Sequence, residues 1–462
     1  MKKLNFNTLV MIFVVVILVA ITTWIVPGGE YIREIKDGKT LVVPNSFRFV
    51  ESNPQGFDAL FMSPLKGFVQ AATIIGFLFV IGGTFNIIQK TGAINVSVQR
   101  MAFTFSRNPH LEKFFIPISM LIFSIAGTIF ASSEEALPFI LVFIPLAYSM
   151  GYDSIVGTSI PFLGLASGFA GATLNPFTVG IAQSIAELPL YSGLGYRFVI
   201  WVLSTVIMIV FIMRYAAKVK AKPEISPMYE IDLERKTSMH LDNSTAGVFT
   251  IHHKFVLLTF VFAMIVLIVG ILGFKWYIIE LGGLFLALGV VSGFVGKLKL
   301  NEITDAFKDG ARDMVGVALI IGCARAILVL ANDGKILDTT LYGISSLIVN
   351  LHPIPASQAM FIMQAVINFF VHSASGQAML TMPVMAPLAD VIGVSRQVAV
   401  LAFQFGEGWI NPILPTSGVT MGVLGLAGIP WEKWFKWMLP IQIFFFILAL
   451  LLLIPPFFFN YN

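Results

Sequence analysis

The chain has 462 residues, of which 57% are hydrophobic and only 12% charged, with a mean hydropathy of +0.87 and a formal net charge of +4. Soluble domains carry about 25% charged residues, so an ordinary water-soluble globule is excluded. No run alternates as a membrane barrel would, and the single cysteine, Cys323, allows no internal disulfide.

The basic excess needs no nucleic-acid partner, because it gathers in particular loops and there sets orientation across a membrane. The first apolar block, residues 9–25, follows Lys2 and Lys3 and lacks a small-residue cleavage site. A retained span with a cytoplasmic N-terminus is expected. The polar stretch 28–63 then lies outside, and Asp37-Gly38-Lys39 between β-prone runs predicts a small hairpin. A span over 73–89 returns to a loop with Lys90, Arg100, Arg107 and Lys113, cytoplasmic by charge. A helical hairpin over 113–150 and a broken helix over 154–187 follow, and a span over 198–213 returns the chain to the cytoplasm.

Residues 1–217 thus form a first unit, with scaffold spans in 8–90, and the basic segment 218–253 is a cytoplasmic linker. The second unit, 254–462, holds scaffold spans in 255–350, a hairpin over 357–392, a broken helix over 396–428 and a last span over 432–455. Segments 57–68 and 303–314 read as amphipathic helices along the interfaces. The additional span over 255–272 reverses the direction of everything after it, so the second unit is an inverted copy and the C-terminus lies outside.

The copy is visible in the residues. Pro145-Leu146-Ala147 with Gly151 recurs as Pro387-Leu388-Ala389 with Gly393, 242 residues on, and Gly92 and Gly334 keep the same offset. Ahead of each copy a polar cluster breaks an apolar run: Ser132-Ser133-Glu134-Glu135 and Ser373-Ala374-Ser375-Gly376-Gln377. Behind each comes an Asn-Pro, Asn175-Pro176 and Asn411-Pro412. Paired interruptions in two halves of a membrane chain point to a transporter's binding site near the midplane. The fold expected is an all-α polytopic membrane protein of two inverted-topology repeats, each with a re-entrant helical hairpin and a discontinuous helix.

Non-helical backbone survives at membrane depth only where protein or a water-filled cavity satisfies it. Half-helix N-termini suit a carboxylate, while freed carbonyls near Asn175 and Asn411 suit Na⁺. Small residues such as Gly168, Gly171, Gly406, Gly408 and Gly418 permit such geometry, and Pro415 adds to the second break. Thr173, Asn175 and Thr178 offer ligands at the first break; Asn411, Thr416 and Ser417 do so at the second. Ser132, Ser133, Glu134 and Glu135 form one tip, and Ser373, Ser375, Gly376 and Gln377 the other. Glu134, Glu135 and Glu407 are the most pointed candidates, because ionisable residues inside spans are costly and functional. Three carboxylates repel a dianion and suit a cationic amino acid, Na⁺ or a proton. Arg325 is expected to pair with a glutamate or snorkel, with direct contact to a substrate carboxylate the remoter alternative; His372 is expected to pack, Asp153 and Arg396 to be solvated at the surfaces, and Met379, Met382 and Met385 to pack. Trp431, Trp434 and Trp437 read as an interfacial belt. No ligand cluster, phosphate loop or nucleophile motif supports an enzyme, a resident cofactor or ATP-driven transport.

The run GEYIREIKDGKTLVVPNSFRFVE, the Ser-Ser-Glu-Glu tip and the paired Asn-Pro breaks resemble the anaerobic four-carbon dicarboxylate carrier superfamily. Within it they are most similar to the YfcC-type basic amino-acid antiporters, a branch linked to arginine/ornithine exchange. The wider ion-transporter superfamily implies a scaffold domain, a mobile transport domain of hairpins and broken helices, elevator-type alternating access and a homodimer. The function expected is secondary active exchange of a basic amino acid across a bacterial plasma (inner) membrane. The alternative is a Na⁺- or H⁺-coupled symporter of dicarboxylates or other small carboxylates, and the remote one an ion channel.

Overall fold

Backbone N–H and C=O groups find no water in lipid, so long apolar runs bury their own hydrogen bonds by folding as helices. The computed structural model describes residues 8–36, 39–94, 96–97, 100, 109–129, 134, 136–238, 249–274, 276–459 and 461. Among the described residues, eight helices are long and apolar enough to cross a membrane.

Helix α1 (Thr8–Ile25) leads to four short strands, β1 (Gly29–Glu30), β2 (Arg33–Lys36), β3 (Lys39–Val42) and β4 (Arg48–Phe49). β1 pairs antiparallel with β4, and β2 with β3 in the register Lys36↔Lys39, which matches the hairpin expected there. Asp37 and Gly38 at its tip lie outside the described residues, as do Lys2, Lys3 and Arg107. The first half continues with α2 (Phe57–Lys90), α3 (Pro109–Ile129), α4 (Ala136–Ser149), α5 (Ser154–Gly171), a π-helical turn (Pro176–Gly180), α6 (Ile181–Ile185) and α7 (Leu194–Ala221). In the linker, α8 (Tyr229–Ser238) is helical. The second half comprises α9 (Ile251–Phe274), α10 (Ile278–Val295), α11 (Leu300–Asp313), α12 (Val315–Asp333), α13 (Ile336–Ile348), α14 (Pro353–Phe370) and α15 (Ala374–Ile392). Then come α16 (Arg396–Gly408), a 3₁₀ turn (Asn411–Ile413), α17 (Gly418–Ala427) and α18 (Trp431–Leu452).

The helices pack in two groups. α2 lies against α10, α11 and α12, and α1 against α12. Gly82 and Gly310 make the α2–α11 crossing possible, since a Cβ on either would overlap the other's carbonyl. Close backbone approach at small residues is how helices associate in lipid, where burying apolar surface gives no drive. In the other group α3 and α4 pack on α5, as α14 and α15 pack on α16. The two halves interlock, because α17 packs on α4 and α6 on α15.

The repeated segments have matching geometry. After α4, Gly151 adopts φ +83° and Tyr152 N–H donates to Ala147 O at 2.9 Å; after α15, Gly393 adopts φ +77° and Val394 N–H donates to Ala389 O at 2.9 Å. Asp153 then caps α5 through Val156 N–H, and Ser395 caps α16 through Val398 N–H. A glycine in the left-handed region closes the hairpin arm and a side-chain acceptor opens the next helix, by the same local chemistry twice. Gly92 and Gly334 do not match, with φ +77° and −74°.

Several expectations need correction. Segment 57–68 is no separate interfacial helix: it runs on into α2, despite Pro64. Asp153 is not solvated but buried, accepting from Tyr215 Oη at 2.5 Å and Ser226 Oγ at 2.6 Å. Arg396 is partly covered and engaged, bonded to Asp390, Glu187 and the Ala186 carbonyl. Trp431 and Trp434 form no belt: both are buried, and their indoles donate to Ile413 O at 3.1 Å and Pro412 O at 2.8 Å. Met382 and Met385 are fully buried, as expected of packing residues.

Candidate functional site

Each break is held open by side chains that replace lost helical partners. In the first, Ala172 turns left-handed at φ +36°, and Leu174 N–H donates to Thr128 O at 3.1 Å. Thr173 is tied to Thr128 through its N–H and hydroxyl, both at 3.0 Å. Asn175 caps the π-helical turn through Phe177 N–H at 2.9 Å and donates to Gly127 O at 3.3 Å. In the second, Asn368 Nδ2 donates to Gly406 O, Glu407 O and Asn411 Oδ1, and Thr420 Oγ1 to Asn411 O at 2.7 Å. The tryptophans take the next two carbonyls, and Ser417 caps α17. These freed backbone groups are therefore engaged, as a low-dielectric setting requires.

Between the two helix groups lies a cavity of about 770 Å³, within the usual range for small-molecule sites. One wall is built by Gln70 and Ile74 of α2, Tyr277 at the start of α10, and Ile321 and Arg325 of α12. The other is built by the hairpin ends and the breaks. Glu134, Ser373, Ser375, Glu407, Asn411, Thr416 and Ser417, all anticipated from sequence, line it together. Residues almost 300 positions apart thus face one space.

Glu407 is 2% exposed; its Oε1 accepts from Asn411 Nδ2 at 2.8 Å, while Oε2 has no partner among the described residues. Glu134 Oε1 lies 3.5 Å from Tyr277 Oη. Glu280 also borders the cavity, but its Oε2 accepts from Tyr277 N–H at 3.0 Å and caps α10. His372 Nε2 lies 2.6 Å from Thr416 Oγ1, joining the second hairpin end to the second break. Arg325 lines the cavity with its Nε buried and unbonded, and no ion pair joins it to a described carboxylate, contrary to the structural pairing expected of it.

Other anticipated residues do not line this cavity. Thr173 and Asn175 fasten the first break to α3, and Thr178 is buried beneath it. The second polar cluster is not an extended tip: Ser373 caps α15, so Gly376 and Gln377 lie in its first turn. Buried Gln377 donates to the carbonyl and side chain of Gln364, each at 2.9 Å. Ser132, Ser133 and Glu135 lie outside the described residues. The sequence reading passed over Gln70, Phe162, Phe169 and Tyr277, which line the cavity from apolar runs with no local feature to distinguish them.

A cavity at paired helix breaks agrees with what the whole chain resembles. The model of the C4-dicarboxylate anaerobic carrier family, DcuC, matches residues 7–457. The chain belongs to this family. It is 37% identical over 470 residues to a protein of Escherichia coli K12 provisionally named basic amino acid antiporter YfcC, covering 93% of this chain and 92% of that one. An uncharacterised Haemophilus influenzae protein is 29% identical over 405 residues, 87% of this chain and 79% of its own. Two solved transporters align along their length but superpose loosely. Alcanivorax borkumensis YdaH has 15% identity, covers 97% of each chain and gives a TM-score of 0.39. Neisseria gonorrhoeae MtrF has 16% identity, covers 98% and 95%, and gives 0.43. The carrier is therefore a multi-pass membrane transporter of a small molecule, not an enzyme.

Proposed function

We propose that this carrier exchanges basic amino acids of the arginine/ornithine type across the bacterial inner membrane by alternating access. One observation carries the reading: a single ligand-sized cavity holds two carboxylates not spent on capping, Glu134 and Glu407, against one guanidinium, Arg325. A ligand with two cationic groups and one carboxylate complements that set, whereas a dianion meets two like charges. The provisional name of the 37%-identical relative agrees.

The interlocked packing of α4 with α17 and α15 with α6 supports inverted repeats whose hairpins and broken helices form one transport unit. That unit would move as an elevator against the scaffold around α2, in a homodimer with its N-terminus inside and C-terminus outside. The coupling ion would be H⁺ or Na⁺, the latter near Asn175 or Asn411. A second reading, symport of small dicarboxylates, is favoured by Arg325 and by the N-termini of α15 and α17, which open into the same cavity.

Proteoliposomes loaded with ornithine decide between them. External labelled arginine should enter only against internal ornithine, without competition from succinate. Uptake driven by an ion gradient and blocked by succinate, but not by arginine, would transfer the assignment to the second reading.

A further inference from the structure

Arg325 belongs to α12, in the group gathered around α2, whereas Glu134 and Glu407 belong to the hairpin and broken helix of the other group. Arg325 and the two carboxylates line the same cavity. An arginine cannot discharge itself by losing a proton, and its planar fork of donors matches a carboxylate bidentately. Arg235 is met by acceptors, donating to Ala427 O at 2.7 Å and Gly428 O at 3.1 Å, while buried Arg197, whose guanidinium nitrogens are unbonded among the described residues, is not part of the cavity lining. At Arg325 the Nε is buried without an acceptor, and the residue borders a cavity of about 770 Å³. In the lining of the same cavity, Glu407 Oε2 is likewise without a partner among the described residues.

We infer that Arg325 binds the carboxylate of the transported molecule, with the cationic end turned toward Glu407 and Glu134. This rests on the proposed function and adds to it the ligand's orientation and the residue that makes a carboxylate obligatory. A molecule so placed bridges the two helix groups and satisfies a charged group in each.

The test compares arginine with agmatine, which is arginine without its carboxylate, by equilibrium binding to the purified full-length carrier. Wild type should prefer arginine by roughly ten- to a hundred-fold, the worth of a charge-assisted hydrogen-bonded contact. In Arg325→Gln arginine should fall to the level of agmatine while agmatine does not weaken. Arg325→Lys should keep an intermediate preference, having the charge without the fork. An Arg325→Gln carrier that still prefers arginine, or loses both ligands equally, would overturn the assignment. Should Arg325→Gln not fold, the arginine-to-agmatine ratio in Arg325→Lys decides, an unchanged ratio counting against it. If wild type binds succinate and no basic amino acid, the proposed function falls. Arg325 is then judged on succinate: its loss in Arg325→Gln sustains the carboxylate role, and unchanged binding removes it.

Discussion

Replacing Glu407 by glutamine should weaken the ligand while leaving the empty carrier as stable or more so. Glu407 is 2% exposed, with one carboxylate oxygen held by Asn411 and the other without a partner among the described residues. A buried charge so incompletely compensated opposes folding by several kcal/mol. Glutamine removes the charge, and its amide oxygen can still accept from Asn411. A ligand cation bonded to the free oxygen contributes about 1.5–3 kcal/mol, equivalent to roughly 10- to 150-fold in affinity. For a hundred-fold loss, the stabilisation given by arginine at a hundred times the wild-type Kd drops from about 2.7 to about 0.4 kcal/mol. Thermal unfolding with and without arginine reads both effects, and exchange in proteoliposomes should collapse in parallel. A variant that keeps the full ligand-induced shift, or melts as though about 3–5 kcal/mol of a buried ion pair had been broken, would refute the reasoning.

Three further outcomes follow from the packing. Gly168→Ala sets a Cβ against the Ser124 carbonyl; it should cost about 1–3 kcal/mol by overpacking, seen as a lower Tm, and an unchanged Tm would mean that α3 and α5 can separate freely. Trp434→Phe leaves the Pro412 carbonyl without its indole donor; a loss of about 1–3 kcal/mol should come with slower exchange, and unimpaired stability and exchange would show that the break needs no such pin. Burial pushes the Asp153 carboxyl above its ordinary value, against opposing hydrogen bonds from Ser226, Tyr215 and Val156 N–H. The folded state then keeps a proton that the unfolded chain has released, so this contribution is full at acid pH and fades as pH rises through the folded value. Tm measured across pH should fall less steeply in Asp153→Asn, and an unaltered slope would deny Asp153 that role.

Much of the site was legible because its chemistry is expensive in lipid. Glu407 between Gly406 and Gly408, the Asn-Pro at each break and the hydroxyls around them stand out in apolar runs, and Glu407, Asn411, Ser373 and Ser417 do meet in one cavity. The Pro145–Gly151 and Pro387–Gly393 copies marked two places with matching caps. Thr173, Asn175 and Gln377 are held by hydrogen bonds to backbone outside the cavity lining, and one residue at a time a polar side chain that satisfies freed backbone looks like one that binds a ligand. Trp431 and Trp434 misled the sequence reading because a tryptophan near a helix start reads as an interfacial anchor until the carbonyl beneath it is seen.

By itself the sequence determined the helices and their interruptions, since a lipid solvent forces every apolar run to bury its own backbone hydrogen bonds and marks every exception with Gly, Pro, Asn or a hydroxyl. Which helices lie together was decided only in three dimensions. Between helices in lipid the selective forces are close contacts at small residues and a few hydrogen bonds, and these depend on matching surfaces far apart in the chain. That is why Arg325 and Glu407, each an isolated charge in its own run, are found to line one cavity only once the chain is folded.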